Sequence, residues 1–139
     1  MIRNITIFGI FILAFSCMNP QKLLTDPSKD RIYFGRSGGF TNIPLEYVLF
    51  EKGQLFKIDQ DSLLKVRRLT QKQVKTLDSL LTETEYEKLD LNEPGNITYH
   101  IKLVKSGSEK EIKWSDSSDN ESVKELYNAL MKTIKKDNK

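Results

Sequence analysis

Residues 97–104, ITYHIKLV, place Ile97, Tyr99, Ile101 and Leu103 on one side and Thr98, His100 and Lys102 on the other. A period of two is that of a strand with one face buried. It recurs in IPLEYVLF, where Ile43, Leu45, Tyr47 and Leu49 share a face and Pro44 and Glu46 take the other. EKG (51–53) reads as a tight turn with Gly53 supplying positive φ, and QLFKI as the returning strand. LLKVRRL extends or follows it. KSGSEK is a second hairpin turn, after which EIKW brings Ile112 and Trp114 back inward. A chain built from such segments must form a sheet with one apolar face.

Two segments follow a helical period instead. Val74, Leu77, Leu80 and Leu81 lie at i, i+3, i+6 and i+7, behind Thr70 as N-cap with Gln73 completing a capping box. Val123, Leu126, Tyr127, Leu130 and Ile134 form a second stripe, with Asp119 or Asn120 as cap. The order is strands, helix, strands, helix. This predicts an α+β fold in two layers: a four- to five-stranded, mainly antiparallel sheet with two helices on one face and water on the other. NEPGN (92–96) reads as a structural turn, with Pro94-Gly95 favouring type II geometry.

The 139 residues suffice for one domain. Net charge is +3, with 17 lysines against 5 arginines and no clustered basic stretch, so nucleic acid is not an expected partner. The single cysteine excludes an internal disulfide and a multi-thiolate zinc site.

Catalytic and metal-ligating patterns are absent. His100 is the only histidine, on the polar side of its strand, and reads as a surface residue. DQDS (59–62) lacks the glycine and terminal glutamate of a calcium loop. SGG is followed by no GK[ST] and opens no helix, so it is no phosphate loop. Trp114 reads as core. The expectation is a non-enzyme with no cofactor and no metal.

The N-terminus carries a different message. Arg3, an apolar run from Ile5 to Phe15, and Ser16-Cys17 have the plan of a secretory signal, too short for a permanent span. LAFSC resembles a bacterial lipobox, and that resemblance implies lipidation of Cys17 and removal of residues 1–16. Residues 17–29 then read as the lipidated cysteine and a flexible tether, and 30–136 as the domain. The chain resembles small lipoproteins of Bacteroidota, which implies a membrane held through Cys17 and a cell-envelope, outer-membrane location. The acidic cluster that resembles a surface-export signal is missing after Cys17, which favours the periplasmic side.

One stretch remains outside these patterns. In RSGGFT, Gly38-Gly39 reads as a kink or a place of close backbone approach, with Phe40 beside it in a satellite core or exposed at a tip. Ser37, Gly38, Gly39, Phe40 and Thr41 are the candidate protein-binding residues. SGGF, the following hairpin, the helix with VKTLDSLL, ITYHIKLV and the last helix together resemble the emfourin family of thermolysin-type metalloprotease inhibitors. The resemblance covers about residues 31 to 134 and implies a metalloprotease as protein partner. The sequence thus favours a lipid-anchored envelope protein with one protein-binding domain. The alternative is a small-ligand carrier, or an enzyme whose site assembles from scattered residues.

Overall fold

A computed structural model describes residues 20–135. Cys17, the signal-like run and residues 136–139 lie outside the described residues.

Six antiparallel strands form one sheet: β1 (Arg31–Gly38), β2 (Leu45–Phe50), β3 (Gln54–Asp59), β4 (Ser62–Arg68), β5 (Ile97–Lys105) and β6 (Ser108–Ser115). Their order is β4-β3-β2-β1-β5-β6. The helices are α1 (Pro20–Thr25), α2 (Gln71–Glu83) and α3 (Glu121–Lys132), with a 3-10 turn at Tyr86–Lys88. The α+β class is as expected, but among the described residues there are six strands rather than four or five, and three helices rather than two. DQDS is the tip of the β3–β4 hairpin, with Gln60 in the left-handed region, and LLKVRRL, all but its last leucine, belongs to a full fourth strand.

The period-two residues do what their spacing dictates. Ile32, Phe34, Tyr47, Leu49, Leu55, Ile101, Ile112 and Trp114 line one face. Leu77 of α2 and Val123, Leu126, Tyr127 and Leu130 of α3 close over them. Both helices therefore pack on one face, as expected. The capping box forms: Thr70 Oγ1 accepts from Gln73 N, and Thr70 N donates to Gln73 Oε1. Asn120, not Asp119, caps α3 by accepting from Val123 N at 3.1 Å.

The other face is not simply solvated. Val48, Phe50 and Phe56 form a second apolar cluster, with Leu23 and Leu24 of α1 against it. The reason lies in YVLF (47–50), where all four residues are apolar and buried, so this part of β2 has no polar side to offer water. Part of the stretch read as a flexible tether is accordingly a docked helix. Arg31 ties the connection down by donating through its guanidinium to the carbonyls of Asp26 and Lys29. Towards β5 and β6 the same face turns polar: His100 Nε2 lies 3.5 Å from a Glu46 carboxylate oxygen, and Lys102 Nζ sits 4.6 Å over the Tyr33 ring.

Two local expectations fail. Ile43 lies outside β2 and is exposed, because Pro44 precedes the first paired residue, Leu45. Gly95 does not have positive φ, so Pro94-Gly95 is not the expected type II turn. Glycine is required there for space instead. A Cβ on Gly95 would lie 2.6 Å from the Ser115 Cβ. Gly53 does have positive φ, at +82°.

Candidate functional site

The strand directions give the sheet two distinct ends. At one lie the β1–β2 loop, the β3–β4 turn and residues 92–96. At the other lie the Glu51–Gly53 and Ser106–Gly107 turns and the entry to β1.

At the first end, β1 runs beside β5 to the Gly38–Ile97 pair, while its pairing with β2 stops earlier, at Arg36–Leu45. The segment between is released from β2 but still held on its β5 side. Gly39 N donates to Asn96 O at 2.8 Å. Gly38 has φ +88°, and a Cβ there would lie 2.2 Å from the Asn96 carbonyl oxygen. The glycine pair thus brings the two irregular stretches, RSGGFT and NEPGN, into backbone contact. Asn42, with φ +48°, turns the chain back towards β2.

Beyond that clamp the side chains leave the protein. Phe40 is 108% exposed and Ile43 72%, and Ser37 and Thr41 are exposed too. Gly38 and Gly39 are half-buried against residues 96–97. The eight residues 37–44, SGGFTNIP, carry no charge in a chain whose residues are 29% charged. The structure therefore gathers all five candidate residues at the end of β1 and in the loop that follows it, and adds Ile43, which the alternation assigns to a strand. Pro44 was the signal that could have placed it in the loop.

The remaining candidates occupy other places. Trp114 is buried, stacked on Tyr99 and edge-on to Tyr127. Tyr99 donates to Asp116 Oδ1 at 2.7 Å, which holds its phenol above the usual tyrosine range. His100 is half-buried beside Glu46 rather than on the open surface. No group of three or more histidine, cysteine or carboxylate side chains is placed to hold a metal among the described residues. At the opposite end, a cleft of about 710 Å³ opens between α2 and the sheet. Ile32, Leu49, Val74, Leu77 and Leu103 contribute apolar side chains to it, and Glu51, Asp78 and Lys105 contribute charged ones. Tyr86 also lines it, and its buried hydroxyl donates to the Ile101 carbonyl at 2.7 Å.

The class defined by this fold and site is an antiparallel sheet carrying helices on both faces and an uncharged, glycine-clamped loop at one end. No protein-family model matches the chain, and no curated protein is similar to it above chance.

Proposed function

We propose that the chain is a non-enzymatic cell-envelope protein, lipidated at Cys17, whose single domain acts through the loop at residues 37–44 as a contact element. The observation that carries this reading is the exposure of Phe40 on a backbone fixed by the Gly39–Asn96 hydrogen bond. An aromatic side chain left wholly in water adds little to folding and gains on desolvation in a contact. The clamp below it limits the ordering cost of that contact.

Phe40→Ala tests the role directly. A core phenylalanine would cost about 3–5 kcal/mol on truncation. The expected loss here is within about 0.5 kcal/mol, as for other surface sites. Chemical denaturation measures it, and a loss of several kcal/mol would return the loop to a packing role. The 710 Å³ cleft favours the second reading, a small-ligand carrier. Saturable binding of an apolar dye that Leu77→Phe blocks would support it.

A further inference from the structure

The exposed large apolar side chains among the described residues are Phe40, Ile43 and Leu64. Phe40 and Ile43 project from the β1–β2 loop, and Leu64 lies two residues into β4 from the β3–β4 turn. All three therefore sit at the same end of the sheet. The chain also enters the domain at that end, since the Gln21 side chain of α1 donates to the Asp61 carbonyl in the β3–β4 turn. From there α1 and residues 26–30 carry the chain to the far end, where β1 begins.

We infer that the loop's counterpart is the bilayer surface: Phe40 and Ile43 enter the interface of the membrane in which the protein is anchored. The inference rests on the lipidation proposed above and names what the contact element touches. Pro20 is three residues on from Cys17, a reach of at most roughly 11 Å. The opposite end of the sheet is one β1 length away, about 25 Å for eight residues. An acylated Cys17 therefore keeps the loop end nearer the bilayer than the end that carries the cleft. Within the sheet, β2 leaves the loop only one strand spacing, about 5 Å, from β3. A folded protein does not fit between the loop end and a bilayer so close.

The loop's chemistry suits that place. Its uncharged sequence offers no ionised side chain to desolvate, and aromatic residues favour the headgroup region. A second, weak apolar contact beside covalent acyl chains adds little to retention but fixes orientation, because it removes the freedom to swing about one anchor point.

The test uses the full chain purified from membranes in its natural processed form and placed in phosphatidylcholine vesicles, with or without brominated acyl chains. Phe40→Trp is the reporter, Lys52→Trp at the opposite end the control, and wild type supplies the signal of buried Trp114. Flotation with the vesicles, a blue-shifted added emission for Phe40→Trp and its loss in brominated lipid, with Lys52→Trp unquenched, is the expected result. Flotation with both reporters water-like and equally unquenched would overturn the inference and leave the anchoring intact. Failure to float would overturn the anchoring, and the inference with it. If Trp at position 40 is shielded only after a thermolysin-type metalloprotease is added, the loop belongs to a protein partner and the bilayer assignment is wrong.

Discussion

Two buried tyrosines show how much one hydroxyl depends on what faces it. Tyr86 donates to the Ile101 carbonyl at 2.7 Å, whereas the buried Tyr127 hydroxyl has no hydrogen-bond partner among the described residues. Tyr86→Phe should therefore lower stability by about 1 kcal/mol. Tyr127→Phe should be neutral or stabilising, because it removes a polar atom whose desolvation is uncompensated. Urea titration of the two variants side by side separates them, and equal losses would reject the difference. Gly38 poses a backbone question instead. With φ +88° and the Asn96 oxygen in the way, Gly38→Ala should cost about 2 kcal/mol or more. If its melting temperature matches that of wild type, the clamp between β1 and residue 96 does not exist in solution. RSGGF announced that something unusual happens at these glycines, but not what. The partner backbone, Asn96, lies far along the chain.

Among the elements, α2 was the most legible. Its apolar spacing and capping box both involve residues within a few positions of one another, so local physics suffices. Thr70→Ala should cost about 1 kcal/mol, measured as a shift in denaturant midpoint at unchanged slope. A midpoint unmoved within error would mean that tertiary packing alone holds the first turn. By contrast, β4 and α1 were obscured. In β4, SLLKVRR mixes Lys65, Arg67 and Arg68 with apolar residues because it is an edge strand, and a register shift at Leu55/Phe56 interrupts its alternation against β3. Charges on an edge protect it from pairing with other chains, at the expense of a clear period. The six residues of α1 are too few to show a helical stripe, and its two leucines become meaningful only once Val48, Phe50 and Phe56 stand opposite them. The other edge, β6, is protected differently. Residues 91–93 run alongside it, with Lys113 N donating to Leu91 O and Glu93 N to Lys113 O, both at 2.9 Å.

At the scale of the whole molecule, burial couples stability to alkaline pH. Desolvation raises the Tyr127 phenol to about 12, and raises Tyr86 further. The unfolded chain ionises near pH 10 while the folded chain stays neutral. Stability is thus intact below about pH 10 and falls as pH rises towards 12, by up to about 1.4 kcal/mol per pH unit for each such phenol. Tyr127→Phe should fall less steeply across that window. Parallel declines for variant and wild type would show that Tyr127 ionises equally in both states. The sequence alone determined the α+β class, the two core-facing helices, the cap of α2, and most strands, because each is written in spacings of two to four residues. It also singled out the five residues at the loop's base and tip. Tertiary structure alone decided the strand order, with β5 inserted beside β1. It also decided that α1 covers the second face, and that Phe40 and Ile43 emerge at the end where the chain enters. Those outcomes depend on contacts between segments distant in sequence. Local periodicity fixes which face of a strand is apolar, and leaves open which neighbour covers it.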